Sequence, residues 1–142
     1  MPAIGTKGPS DSEVVIVGDA PGASDILHGE PFNGATGKLL RTFFDRAGWA
    51  KGLDSAYITN AIRCVPPKGT PIPTVAIEAC RPRLERELAK APRKVVMAMG
   101  ATATKSLLNN YKAKITQLRG QVFHDKGYPV VPMLHPLSIL RN

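Results

Sequence analysis

The stretch from Val14 to Gly37 reads VVIVGDAPGASDILHGEPFNGATG. Its first four residues are apolar β-formers, a short unbroken run of the kind that makes a strand buried on both faces. Gly18 ends the run, and Asp19-Ala20-Pro21-Gly22 turns the chain sharply. A Gly- and Pro-rich loop follows, carrying Asp25, His28, Glu30, Phe32 and Asn33, and a helix is expected from near Thr36. Read plainly, this is a strand-to-helix connection. Its length and its density of Gly, Pro and acids argue for more, because connections without a task are usually shorter. The carboxyl end of a buried strand is also where open α/β sheets bind ligands.

Outward from this loop the pattern repeats. Leu39, Leu40, Phe43, Phe44 and Ala47 fall on one helical face, and Gly48 suits the position just past the helix end. Ala56 to Ile62 reads as a second strand, with Asn60 near its carboxyl end. Pro66-Pro67 and Pro71-Ile72-Pro73 force an extended loop. Thr74 can cap a helix to about Lys90, with a kink or restart expected at Pro82, just after Cys80. Lys94 to Met99 is a third strand closed by Gly100, and Ala101 to Leu108 a helix ended by Asn109-Asn110. Gln121 to His124 suggests a small ribbon. Val130 to Leu134 is the last strand; Pro132 inside it implies a sheet edge, and His135-Pro136 follows. Leu137 to Leu140 begins something helical. The order βαβαβαβ predicts an α/β fold, a parallel sheet with helices on both faces. Asp19, Asn60 and His135 each follow a strand, so the three are expected along one rim of that sheet.

With 142 residues and 43% hydrophobic composition, one compact domain with a real core is expected. Residues 1–13 are polar and read as a flexible lead-in, and residues 14–142 as the domain. No apolar run is long enough to span a membrane, and no charged-then-apolar signal segment opens the sequence. Two cysteines, Cys64 and Cys80, give no disulfide framework, so the cytoplasm is the expected location; the expected state, a monomer, does not follow from the cysteines. The net charge of +8 is unevenly spread. Residues 1–80 hold seven Lys/Arg against eight Asp/Glu, and residues 81–142 hold twelve against three. A basic half beside a near-neutral one suggests a polyanionic partner. For residues 81–94 alone, a solvated Arg- and Lys-rich helix face is the simpler reading.

An Asn, a His, an acid and a Phe on one rim suit a particular chemistry. The Asn amide offers a donor and an acceptor together, matching the edge of a pyrimidine. Phe gives such a ring a face to stack on. His can donate to an oxygen that is gaining negative charge, and a carboxylate can orient water or stabilise a cationic sugar. The set suits cleavage of a bond between a base and a sugar.

GDAPG at 18–22, GEPFNGATGKLL at 29–40, ITNAIRCVPP at 58–67 and HPLSILRN at 135–142 resemble the uracil-DNA glycosylase superfamily, and most of all its family-4, iron–sulfur type; LRG at 118–120 matches as well. The resemblance covers nearly the whole sequence after Glu13, with the motifs in the expected order. It implies a three-layer α/β/α fold with a central four-stranded parallel sheet, and hydrolytic removal of uracil from DNA once the base is flipped out. It implies that Asp19, in a position where the family usually has Glu, acts near the sugar C1′ and the attacking water. By the same resemblance Phe32 stacks on uracil, Asn60 reads its edge, and His135, followed by Pro136, contacts O2 and stabilises the leaving anion. Backbone N–H groups across Gly18, Asp19, Ala20, Pro21 and Gly22 help to hold the base (Pro21 itself has none). Asp25 falls near a family acid.

Two departures accompany the resemblance. The family-4 pattern has four cysteines around a [4Fe–4S] cluster, two of them ahead of the first strand. Cys64 and Cys80 match the later pair, and residues 1–13 contain none, so the ligand set is incomplete and no cofactor is expected. The family pattern also continues into a further helix, whereas this sequence stops at Asn142. Both features fit a minimal or phage-like variant, or part of a longer polypeptide, and bear on stability more than on chemistry. Plain structural readings stand beside each choice: Asp19 capping a turn, Phe32 in the core, Asn60 ending a strand, His135 a satisfied loop histidine, and both cysteines small buried apolar residues. Three other functions compete: a base-binding module that cleaves poorly, an enzyme for another modified base, and a nucleotide-binding α/β domain. Absence of a GxGxxG or GxxxxGK[ST] loop counts against the last.

Overall fold

A computed structural model describes residues 5–32, 34–48, 52–64, 71–124 and 126–136. The first strand, β1 (Val14–Gly18), decides the layers. Val15, Ile16 and Val17 are all fully buried, and their side chains alternate between two cores. Val15 and Val17 join Leu84, Leu88, Ala103 and Leu107 from two helices on one face. Ile16 joins Leu40, Phe44, Leu53 and Ile58 on the other. A strand buried on both faces is what an unbroken Val/Ile run is for.

The remaining elements are α1 (Ala23–His28), α2 (Ala35–Arg46), a 3₁₀ turn at Leu53–Ser55, β2 (Tyr57–Asn60), α3 (Thr74–Leu88), β3 (Val95–Met99), α4 (Ala101–Leu108), α5 (Ile115–Leu118) and β4 (Val130–Met133). The sheet has four strands in the order β2-β1-β3-β4, and every pairing is parallel. The connection from β1 runs to β2 on one side, and β3 pairs with β1 on the other. The order therefore reverses between β1 and β3, and the carboxyl ends of these two strands are the switch point at which open α/β sheets bind ligands. The three-layer α/β/α architecture with a four-stranded parallel sheet matches the expected fold.

Several local expectations need adjusting. The long loop after β1 contains the six-residue helix α1, in which the Asp25 carboxylate accepts from the Gly22 N–H at 3.1 Å. Only Leu40 and Phe44 of the expected stripe on α2 are buried, while Phe43 is 43% exposed. Helix α3 runs through Pro82 as one helix. The ring lies on an exposed turn, where water can meet the carbonyl its missing N–H leaves unpaired. Its N-cap is Pro73 in extended backbone, so Thr74 is the first helical residue and not the cap. The ribbon at Gln121 to His124 reduces to one antiparallel bridge, Phe123 with Val130. Pro132 does lie on an edge strand. Its carbonyl accepts from the Gly120 N–H at 2.9 Å, and the N–H it lacks would have faced outward.

The lead-in is tied down in its later part. Lys7 pairs with Ile58 through two backbone hydrogen bonds of 2.9 and 2.8 Å. Arg93, only 8% exposed, donates to the carbonyls of Ser10 and Ser12, and also to those of Glu87 and Leu88 at the end of α3. Residues 81–94 are thus not simply a solvated basic face: Arg93, Arg83 and Glu87 are turned inward. The readings made for Asn33, Pro66-Pro67 and Leu137 to Leu140 lie outside the described residues.

Candidate active site

The rim at the carboxyl ends of the strands brings four of the predicted residues together, Gly18, Phe32, Asn60 and His135. Gly18 is the last residue of β1 and is paired with Asn60, the last of β2. A Cβ placed on Gly18 would lie 2.5 Å from Asn60 Oδ1 and 2.6 Å from Phe32 Cζ. The space that a side chain would fill is used instead to let the Phe32 ring edge and the Asn60 amide converge. Asn60 is 4% exposed, and no hydrogen bond to its amide forms among the described residues. The Phe32 ring stacks on the ring of His135, with centroids 5.5 Å apart and planes at 19°. His135 is half-buried just past β4, and Pro136 behind it is buried.

Phe32 is held in an unusual way. Its backbone has φ 54°, in the left-handed region that non-glycine residues seldom occupy. Gly37 in the first turn of α2 explains how this is stabilised, since a Cβ there would collide with the Phe32 carbonyl. The close passage of α2 over that carbonyl fixes the loop and aims the ring. Phe32 is at once a core residue, 7% exposed, and a wall of the rim.

Asp19 directly follows β1 at the switch point between β1 and β3. Its Oδ1 accepts from the Ala103 N–H at 2.8 Å, and the Thr102 N–H also bonds the carboxylate. The carboxylate therefore receives the open N–H groups at the start of α4. Gly100, with φ 115°, is pressed against it and leaves no room for a Cβ. Burial raises the Asp19 pKa from 3.8 to about 6; the two backbone N–H groups and nearby Lys105 oppose the rise. Asp19 stays ionised at neutral pH, at a cost.

The other predicted positions are less central. Ala20 is half-buried, Pro21 is buried, and Gly22 is an exposed N-cap with open space around it. Asp25 serves the start of α1 through the Gly22 N–H. Sequence reasoning missed Gly37 and Gly100. The only signals were a glycine inside a first helical turn, where it weakens the helix, and one directly after a strand.

Cys64 and Cys80 are free, half-buried thiols. Among the described residues no three His, Cys, Asp or Glu side chains are grouped to hold a metal ion. With two cysteines in the whole sequence, the donor set does not fit a four-thiolate cluster. No helix among the described residues is long and apolar enough to cross a membrane.

Residues 6–142 match the family model described as the uracil DNA glycosylase superfamily. This chain belongs to the uracil-DNA glycosylase superfamily. It is 31% identical to a type-4 uracil-DNA glycosylase of Archaeoglobus fulgidus over 99% of this chain and 71% of that protein. It is 32% identical to a type-4 uracil-DNA glycosylase of Sulfurisphaera tokodaii, over 99% of this chain and 66% of that protein. A third relative, the type-4 uracil-DNA glycosylase of Thermotoga maritima, is 33% identical over 96% of this chain and 70% of its own length. The superfamily match spans the rim residues from β1 to His135, in the order in which the strands deliver them.

Proposed function

We propose that this protein is a uracil-DNA glycosylase that hydrolyses the N-glycosidic bond of uracil flipped out of DNA, in base excision repair. Its relatives of that name support the activity. The observation that carries the reading of the site is the convergence, at Gly18, of the Phe32 ring with an Asn60 amide that no described residue engages.

In this reading the flipped uracil lies along the Phe32 face. Asn60 Nδ2 donates to uracil O4 and Oδ1 accepts from N3–H. Cytosine presents the reverse pattern, and would leave buried polar groups opposed. Backbone N–H groups between Gly18 and Gly22, with Pro136 behind, shape the pocket. As the bond to the sugar breaks, negative charge builds on the base, and His135 donates to O2. Ionised Asp19 stabilises the cationic sugar and orients the water that attacks C1′. Its place on the α4 N-terminus fixes it relative to β1 and β3. The reading covers one domain over residues 14–142, acting on DNA as a monomer in the cytoplasm, where free thiols such as Cys64 and Cys80 stay reduced. No step passes through a metal cluster.

The test is incubation with single- and double-stranded oligonucleotides carrying one uracil, followed by alkaline cleavage of abasic sites. A cut at the uracil position alone is expected; no cleavage above that of the uracil-free strand refutes the reading. One observation favours a second reading, a base-binding module with little turnover: the Asp19 carboxylate already accepts two N–H groups of α4. That reading predicts selective retention of uracil-containing DNA without base release.

A further inference from the structure

The Asn60 amide is positioned by its main chain. On one side the Ala61 N–H donates to the Gly18 carbonyl at 2.8 Å and the Ile62 N–H to the Asp19 carbonyl at 3.0 Å. On the other, the carbonyls of Asn60 and Ala61 both accept from Nη2 of Arg83, at 3.0 and 2.9 Å. Two successive carbonyls turned to one cation mean that a guanidinium, not a turn residue, defines where β2 ends.

That guanidinium is itself held. Arg83 Nη1 donates to Glu87 Oε2 at 2.9 Å, one turn along α3, and the Thr59 hydroxyl donates to the same oxygen at 3.1 Å. Glu87 and Thr59 are 7% and 0% exposed. Arg63 stands 3.9 Å from the other carboxylate oxygen. The planar fork serves two carbonyls through one nitrogen and a carboxylate through the other, whereas an ammonium has to make all three bonds from a single point. Buried ion pairs of this kind add little net stability over apolar residues of similar volume. What the pair holds in place is the better account of it.

We propose that Arg83 is a positioning residue for base recognition. It sets the Asn60 amide through the carbonyls of Asn60 and Ala61, with Glu87 and Thr59 fixing the guanidinium. The proposal rests on the reading of Asn60 as the group that meets the base.

A double-mutant cycle tests it, pairing Arg83→Lys with Asn60→Ala in single-turnover uracil release, under conditions where circular dichroism shows each variant folded. Arg83→Lys keeps the charge and loses the fork. Alone it should slow release about tenfold, because small displacements of a positioning group cost up to about 100-fold. Affinity for uracil-containing DNA should stay within about twofold. In the Asn60→Ala background the same change should slow release by less than about twofold. A tenfold loss in both backgrounds, or no loss in wild type, overturns the proposal. Should Arg83→Lys not fold, Thr59→Val enters the same cycle, with a loss of about threefold that must also vanish in Asn60→Ala. A second readout needs no turnover. The side-chain amide resonance of Asn60, assigned by its loss in Asn60→Ala, must shift and broaden in Arg83→Lys while those of Asn109 and Asn110 stay; an unmoved Asn60 amide overturns the proposal. Failure of the underlying reading looks different: Asn60→Ala then keeps wild-type release, and the proposal falls with it even though the amide resonance moves.

Discussion

Replacing Asp19 by Asn should make the protein more stable at pH 8 and less active. The carboxyl group is pushed from 3.8 to about 6 in the folded state, chiefly by burial. A raised pKa means that the folded state holds its proton more tightly than the unfolded one. The associated stability is fully present below about pH 3.8 and lost as pH rises through 6. The gap corresponds to about 3 kcal/mol of penalty on the ionised group at pH 8. An Asn side chain carries no such penalty. It keeps an acceptor oxygen for the Ala103 N–H but presents an NH2 group in place of the second oxygen at the start of α4, at a cost of about 1 kcal/mol. The expected net gain is about 2 kcal/mol at pH 8, falling to zero or slightly below at pH 4. Urea unfolding of both proteins at a series of pH values measures this difference directly and cancels the other titrating groups. Single-turnover uracil release by wild type should rise through a midpoint near pH 6, and Asp19→Asn should lack that limb. A stability difference that is flat with pH, or a variant destabilised at pH 8, refutes the reasoning.

His135→Ala should lower the rate of base release about 100- to 1000-fold while changing uracil-DNA affinity far less, because its donor matters most once charge has built up on the leaving base; equal losses in rate and affinity would make it a structural partner of Phe32. Binding to uracil-free duplex should weaken steeply with salt, each neutralised phosphate adding about −0.9 to the log–log slope. Exposed Lys112, Lys114 and Arg119 are the expected contacts, Arg119 lying beside the end of β4 through its neighbour Gly120, and their joint replacement by Gln should flatten the slope. The pair Cys64→Ala and Cys80→Ala should leave uracil release within a few-fold of wild type. Near-stoichiometric iron with a broad visible absorbance in the purified protein would contradict the two-thiol reading.

The alternation of strands and helices and the layers were legible because buried parallel strands require apolar side chains on both faces, and Val14 to Val17 and Val95 to Met99 display them openly; the spatial order of the strands was not. Pro132 announced an edge because a missing N–H has only one comfortable place in a ladder. The rim residues were legible as strand ends. What each of them does beyond that was not. The capping of α4 by Asp19 joins residues 84 positions apart, and no local pattern encodes such a pairing. The left-handed Phe32 gives no sign of itself, since its stabilisation comes from Gly37 on the next element. Arg83, Glu87 and Arg93 were hidden for a different reason. A charged residue in an Arg-rich helix looks the same in sequence whether it faces water or two carbonyls, and only the fold decides which.

Both flanks of the sheet are closed by short pieces from opposite ends of the chain: Lys7 against Ile58 on β2, and Phe123 and Gly120 against Val130 and Pro132 on β4. Each piece uses up hydrogen-bonding groups that would otherwise invite a strand from a neighbouring molecule. Binding to DNA through its basic half, as proposed above, would concentrate the protein along the polymer, where copies meet side by side. The covered flanks would let copies crowd there without templating aggregation edge to edge.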